Sequence, residues 1–265
     1  MTTLSDLRAL IIDMDGVLYR GNTAIPGAAA FLRWLRERHF PFVLLTNNST
    51  LDPQAYEAKL AAMGISVPAN QIVTSAVVTA DYVARNFRPR ARVYVIGESG
   101  LTGCLAARGL TLTDEQPEVV VVGMDRELTY DKLRIAGLAI RAGAAFIATN
   151  PDRTLPTEAG LIPGSGAIVA ALEAATDQKA FIIGKPESPM LEMAIARLGQ
   201  GVAHTAAIGD RLETDILGGQ NLGMPTILVL SGVTHAAPAD GPVQPTFVFA
   251  SVAALEAAWR RDLGQ

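Results

Sequence analysis

Ala9-Leu10-Ile11-Ile12-Asp13-Met14-Asp15-Gly16-Val17-Leu18-Tyr19 is the stretch that decides how this chain is read. Four consecutive apolar residues suit a strand buried on both faces, and two acids flanking a methionine, then a glycine, follow where that strand would end. Three further segments share the design. Phe42 to Leu45 leads into Thr46-Asn47-Asn48, Phe181 to Ile183 into Gly184-Lys185-Pro186, and Ala206 to Ile208 into Gly209-Asp210-Arg211 with Thr214-Asp215. If these runs are parallel strands of one sheet, their polar tips emerge together at its carboxyl edge, where open α/β sheets hold their ligands.

The rest of the chain alternates in the same way. Strands are expected near 9–12, 42–46, 71–74, 92–96, 118–122, 145–148, 181–183, 205–208, 225–230 and 246–249. Helices fall between them, near 27–38, 53–63, 76–86, 99–108, 129–142, 165–175, 189–198, 212–221 and 251–261, with starts marked by Pro26-Gly27, Asp52-Pro53, Thr129 and Ser188-Pro189. Such alternation predicts βαβ units and mostly parallel sheets. One helix and one strand fill the stretch from Asp15 to Thr46. The stretch from Thr46 to Lys185 is far longer than one crossover needs and carries strands and helices of its own, so an inserted α/β domain is expected at 78–178, with 1–77 and 179–265 forming the core domain.

Composition narrows the function classes. The chain has 265 residues, 49% hydrophobic and 18% charged, enough to bury sheets in two modest domains. A formal net charge of −4, mixed signs and 6% aromatics leave no basic footprint for nucleic acid. No apolar run approaches the roughly 18 residues of a membrane span, so no membrane is expected as partner and a cytoplasmic location is. Cys104 is alone, which rules out an internal disulfide and suits a small buried apolar residue better than a nucleophile.

The polar tips define a chemistry. Asp13 and Asp15 lie close enough to repel unless a cation or proton intervenes, and a Mg²⁺ held by carboxylate, carbonyl and phosphate oxygens resolves the conflict. Gly16 starts the turn that gathers them. Thr46, Asn47 and Asn48 offer a hydroxyl and free N–H groups to an anion, although a helix cap would read the same way. Lys185 can neutralise phosphate. Asp210 is a further oxygen ligand, and Asp215 either reaches the metal's water, braces Lys185, or simply favours the following helix start. Each piece has an ordinary reading alone; four strand ends in one order agree on phosphoryl chemistry.

Together the four pieces resemble the four motifs of the haloacid dehalogenase superfamily, and the insertion between the second and third resembles its class-II-capped branch, the NagD-like and 4-nitrophenylphosphatase-like phosphatases. The likeness spans nearly the whole chain, including Thr149-Asn150-Pro151-Asp152 and the run from Thr226 to Gly232. It implies a Rossmann-like parallel-sheet core with an α/β cap. It also implies that Asp13 is the nucleophile that becomes an aspartyl phosphate and that Asp15 protonates the leaving oxygen, then activates water. Thr46, Asn47 and Lys185 would bind phosphate, while Asp13, the Asp15 carbonyl and Asp210 would hold Mg²⁺. Asn150 and Asp152 are expected to face the substrate from the cap. The acid at 15 argues against carbon–halogen cleavage.

The expected activity is therefore Mg²⁺-dependent hydrolysis of a small phosphorylated metabolite, with pairing of two copies through the cap left open. Two other readings stand beside it: a non-catalytic phosphometabolite-binding module, and a phosphotransferase that passes the phosphoryl group to another acceptor. Gly97-Glu98-Ser99-Gly100 with Gly103 lacks dinucleotide-loop spacing. Gly164-Ser165-Gly166 suits either an anion or close helix packing. His39, His204 and His235 show no ligand spacing, and Trp34 and Trp259 read as packing residues.

Overall fold

The computed structural model describes residues 2–157, 160–237 and 239–264. The chain runs through β1 (Ala9–Asp13), a hairpin of β2 (Tyr19–Arg20) and β3 (Thr23–Ala24), α1 (Ala28–Glu37), β4 (Phe42–Thr46), α2 (Pro53–Ala62), β5 (Ile72–Thr74), α3 (Ser75–Asn86), β6 (Arg92–Ile96), α4 (Ser99–Ala107), β7 (Thr111–Leu112) and β8 (Val119–Val122). It continues through α5 (Tyr130–Arg141), β9 (Ala145–Ala148), a second hairpin of β10 (Thr154–Thr157) and β11 (Gly160–Pro163), α6 (Ser165–Thr176), β12 (Phe181–Ile182), α7 (Ser188–Leu198), β13 (Thr205–Gly209), α8 (Leu217–Asn221), β14 (Thr226–Val229), β15 (Phe247–Phe249) and α9 (Val252–Asp262). Two compact units result: Met1–Thr46, Tyr56–Val73 and Lys185–Gln265 form the first, and Asn47–Ala55 with Thr74–Gly184 the second. The stretch 78–178, expected as the insertion, lies inside the second.

The first unit holds a six-stranded sheet in the order β15-β14-β13-β1-β4-β5. β1 pairs in parallel with both β13 and β4. Strands β1, β4 and β13 are buried along their whole length, which accounts for their unbroken apolar runs. From β1 the chain winds outward to β4 and β5, and after Lys185 it winds the other way through β13, β14 and β15. The order therefore reverses between β1 and β13, the point at which an α/β sheet opens a crevice at its carboxyl edge. Register fixes what lies there: Asp13 is level with Leu45, one residue before Thr46, and Ile12 with Ile208, two residues before Asp210.

Helices cover the sheet through apolar faces. α1 buries Phe31, Leu32, Trp34 and Leu35, and α9 buries Val252, Leu255 and Trp259. Trp34 and Trp259 meet edge-on with centroids 5.6 Å apart, and Phe40 packs on Trp259 at 5.1 Å, so both tryptophans are packing residues. Each large apolar side chain buried here contributes about 2–3 kcal/mol. Pro189 sits in the first turn of α7, as its fixed φ favours.

The second unit has its own five-stranded sheet, β12-β9-β8-β6-β7, with every pairing parallel. The valine run of β8 lies at its centre, and Ile96, Val120, Val122, Ile140, Phe146, Ile168 and Leu172 form a separate core between this sheet and α5 and α6. No helix among the described residues is long and apolar enough to cross a membrane.

Several features depart from the sequence expectation. The run Phe181 to Ile183, expected beside the other three in one sheet, forms only the two-residue edge strand β12, which pairs with β9 in the sheet of the second unit. The hairpins β2–β3 and β10–β11 have strands of two and four residues, too short to leave a periodic signal. The helix expected at 212–221 begins instead as a π-turn, Leu212–Ile216, before α8. Ile216 N–H reaches back to the Arg211 carbonyl, and the widened turn carries the buried Asp215.

Candidate active site

The carboxyl end of β1 delivers Asp13 into the interior, where it is 9% exposed. Lys185 lies beside it, 3% exposed, and its Nζ donates to Asp13 Oδ1 at 2.6 Å and to Asp215 Oδ1 at 2.6 Å. Carboxylate oxygens of Asp13, Asp210 and Asp215 all lie within 4.8 Å of one another. Three acids are thus gathered around one ammonium.

Local sequence explains why the cluster can form. Gly16 has φ +77°, which glycine adopts freely, and a Cβ there would collide with the Asp210 carboxylate. Gly209 is equally confined, since a Cβ would overlap the side chain of Asp215. Ser231 Oγ donates to the Gly16 carbonyl at 2.8 Å, and Val233 N–H donates to Asp210 Oδ2 at 2.6 Å, so the loop after β14 holds both the Asp13 turn and the Asp210 carboxylate. Arg211 N–H donates to Asp215 Oδ2 at 3.2 Å.

Charge crowding shows in the ionisation of the group. Burial pushes the Asp13 carboxyl well above the ordinary aspartate value, Asp215 and Asp210 push it further, and Lys185 opposes them. Burial also raises Asp210, to about 7, with Asp215 adding to the effect and the Val233 N–H opposing it. Burial works against the Lys185 ammonium, but Asp13 and Asp215 more than offset it and hold its pKa above the ordinary lysine value. A protein that holds three hard oxygen donors at this separation, with the Asp13 and Asp210 carboxyls raised, is short of positive charge, and a divalent cation such as Mg²⁺ fits both the donor chemistry and the deficit.

Asp15 stands apart. Its side chain is exposed and is not part of the three-carboxylate cluster among the described residues. Its carboxyl pKa is raised by the surrounding protein, against the pull of Lys59 and Arg211. Asp215 braces Lys185, one of its expected readings, and also stands inside the cluster.

Thr46 is buried at the end of β4, where its side chain shares a hydrogen bond with Tyr56. In the second unit, Asn47 Nδ2 donates to both carboxylate oxygens of Asp152 at 3.3 Å, and the Asn47 carbonyl accepts from Ser75 Oγ at 2.5 Å and Asn150 Nδ2 at 2.7 Å. Asn48 Oδ1 accepts from Thr50 N–H in a local turn. The Asn150 amide also donates to Ser165 Oγ, and its Oδ1 accepts from Asp152 N–H. Buried and committed in this way, Asn150 braces the turn at Asn47.

Glycines in the stretch that lacks dinucleotide spacing, and in the one left open between an anion and helix packing, have packing roles. Gly100 leaves no space for a side chain against Thr50 and Leu51, and Gly166 leaves none against the Pro151 carbonyl. Burial, with Asp52 and Asp81 adding to it, raises the Cys104 thiol pKa. His39, His204 and His235 are exposed. Tyr56, Lys59, Ser75, Ser231 and Val233 carry no motif spacing, and only their long-range contacts reveal them. A faint signal existed for Tyr56 and Lys59, one turn apart on the helix that follows Thr46.

A family model described as haloacid dehalogenase-like hydrolase matches residues 10–111, and a second, HAD-hydrolase-like, matches residues 182–255. The chain is 41% identical over 248 residues to an acid sugar phosphatase of Staphylococcus saprophyticus, covering 93% of this chain and 95% of the relative. Among solved structures it is similar to a 4-nitrophenylphosphatase of Thermotoga maritima, with a TM-score of 0.91 and 37% identity over 98% of this chain and 100% of that one. A glycerol phosphate phosphatase of Mycobacterium tuberculosis, solved in complex with magnesium, gives a TM-score of 0.86 and 35% identity over 94% of this chain and 76% of that one.

Proposed function

Because the chain belongs to the haloacid dehalogenase-like hydrolases, in the NagD-like and nitrophenylphosphatase-like branch, and is a phosphatase, we propose that it hydrolyses small phosphomonoesters with Mg²⁺ through an aspartyl phosphate on Asp13. The observation that carries the reading is the buried contact of Asp13 with Lys185 at 2.6 Å inside the cluster of three acids. A nucleophile must be ionised in a dry site, and this ammonium favours that form against burial.

In the first half-reaction an oxygen of Asp13 attacks phosphorus in line, the bond from phosphorus to the ester oxygen breaks, and Asp15 transfers its proton to that oxygen. In the second, Asp15, now a carboxylate, takes a proton from water as the water oxygen attacks the same phosphorus. Phosphate departs and the Asp13 carboxylate is restored. Lys185 offsets the charge of the phosphoryl oxygens, and Thr46 and Asn47 supply hydrogen bonds that orient them. Asp13, Asp210 and the Asp15 carbonyl, with Asp215 beside them, would hold Mg²⁺, whose contribution is to neutralise phosphoryl charge.

Since this machinery meets only the phosphate, substrate choice falls to the inserted segment, which we assign as the cap. Relatives named for sugar phosphates, nitrophenyl phosphate and glycerol phosphate support a small phosphorylated metabolite as the substrate class. Replacing Asp13 with Asn preserves shape and removes the nucleophile. Phosphate release from p-nitrophenyl phosphate with Mg²⁺ should fall by at least about a thousandfold while the far-ultraviolet circular dichroism stays unchanged. Turnover of the variant at a tenth of the wild-type rate would exclude Asp13 as the nucleophile.

A further inference from the structure

Asp15 must lose a proton in the first half-reaction and so must become an anion while facing the substrate. Within the four motifs Lys185 is occupied by Asp13 and Asp215, and Arg211 acts on Asp15 less strongly than a lysine outside them. The first unit contains a second cation close by. Helix α2 buries Tyr56 and Leu60 and leaves Lys59 half-buried. Lys59 Nζ stands 4.4 Å from the centroid of the Tyr19 ring, over its face.

That ring is fixed relative to Asp15. Tyr19 is 1% exposed, and its carbonyl accepts from Gly16 N–H at 2.8 Å, while its own N–H donates to the Met14 carbonyl at 3.3 Å. Asp15 and Tyr19 are also bridged through their backbones. The aromatic face thus holds the ammonium beside the turn that presents Asp15, through the attraction of a cation to the ring's electron-rich face. Lys59 is the strongest favourable charge acting on Asp15, and Asp15 is the charge that favours the Lys59 cation against its burial. Lys59 acts on Asp15 through charge, while the hydrogen bond that the Asp15 carboxyl accepts comes from the Gly16 backbone.

Resting on the assignment of Asp15 as proton donor, we propose that Lys59 is a positioning residue for the departing leaving group: its ammonium, held on the face of Tyr19, orients the Asp15 carboxyl and stabilises the carboxylate that appears as the proton passes to the ester oxygen. Lys59 itself exchanges no proton. Its effect should scale with how much proton the leaving group needs. An alkoxide cannot leave without one, whereas nitrophenolate can.

The experiment compares kcat/KM for glycerol 3-phosphate and p-nitrophenyl phosphate, at saturating Mg²⁺, in wild type, Lys59→Met, Lys59→Arg and Asp15→Asn. Because kcat/KM reports steps up to leaving-group departure, the later role of Asp15 toward water does not enter. For Lys59→Met the glycerol phosphate value should fall about tenfold or more and the nitrophenyl phosphate value about threefold or less, with Lys59→Arg recovering most of the loss. Equal losses on both substrates would overturn the proposal, as would a change confined to KM for the charged metabolite, which would make Lys59 a substrate contact. Asp15→Asn separates the two levels of inference. If it shows the leaving-group asymmetry and Lys59→Met does not, the role of Lys59 falls alone; if it shows none, the assignment of Asp15 falls with it. Should Lys59→Met melt early, Lys59→Gln replaces it.

Discussion

Replacing Asp210 with Asn should make the metal-free protein more stable at neutral and alkaline pH, although it removes a residue we assign to the metal site. In the fold the Asp210 carboxyl titrates at about 7 against 3.8 for an ordinary aspartate, because burial and Asp215 disfavour its charged form. A carboxyl with a raised folded-state pKa favours the fold below about 4, and that contribution is lost as pH rises toward 7. The shift is about three pH units at about 1.4 kcal/mol each, so ionisation of Asp210 costs the fold about 4 kcal/mol above pH 7. Some of that is shared with Asp13 and Asp215, which makes the figure a ceiling. Asparagine has the same shape, keeps an oxygen to accept the Val233 N–H, and carries no charge to desolvate.

The assay is thermal unfolding in a chelator between pH 4.5 and 8.5 for both proteins. At a few degrees per kcal/mol for a chain of this size, Asp210→Asn should melt about 10 °C above wild type at pH 8, and the two curves should converge near pH 4.5. Comparing the two proteins at each pH cancels the contribution of titrating groups away from the cluster. Adding Mg²⁺ at pH 8 should raise the wild-type melting temperature much more than that of the variant, since a ligand stabilises the state that binds it. A variant that melts with or below wild type at pH 8 without metal would refute the view that the cluster is held together against its own charge.

Two further outcomes follow from neighbouring contacts. Tyr56→Phe deletes the hydroxyl that shares a hydrogen bond with the buried Thr46, and at about 1 kcal/mol for such a bond the inhibition constant for inorganic phosphate should rise about fivefold, measured against p-nitrophenyl phosphate; an unchanged constant would separate Thr46 from phosphate binding. Cys104 is 7% exposed with a raised thiol pKa, so alkylation by iodoacetamide at pH 8 should be far slower than for a free thiol until denaturant is added, and rapid labelling of the native protein would contradict the burial.

The sheet of the first unit was legible because parallel strands buried on both faces must be continuously apolar: Ala9 to Ile12, Phe42 to Leu45 and Ala206 to Ile208 could hardly be anything else, and they occupy β1, β4 and β13. The polar ends of those strands were legible for the same reason, since a strand fixes where its last residue emerges. Lys185 was placed beside Asp13 on the premise that Phe181 to Ile183 joins the same sheet, and it reaches Asp13 although that run is an edge strand of the second unit. What sequence did not reveal lies on elements whose position is set by packing. The hairpin β2–β3 has strands of two residues, the π-turn at Leu212–Ile216 looks like any helix start, and Asn150 shows its role only through the Asn47 carbonyl it reaches.

Lys59 belongs to that second kind, and its case shows why motif reading stops short of mechanism. On α2 it is a lysine in a helix rich in alanine, and its expected reading is a solvated face. The fold brings the Tyr19 ring under its ammonium and the exposed Asp15 near it, which turns a surface charge into one that acts on a specific acid. The motif residues therefore define which atoms react, whereas the charge at the moment of reaction is set by side chains that no spacing rule selects. In the mechanism we propose, that division is sharp: Lys185, inside the motif, answers the charge of Asp13 in the resting protein, while Lys59, outside it, answers the charge that Asp15 would acquire as the ester bond breaks.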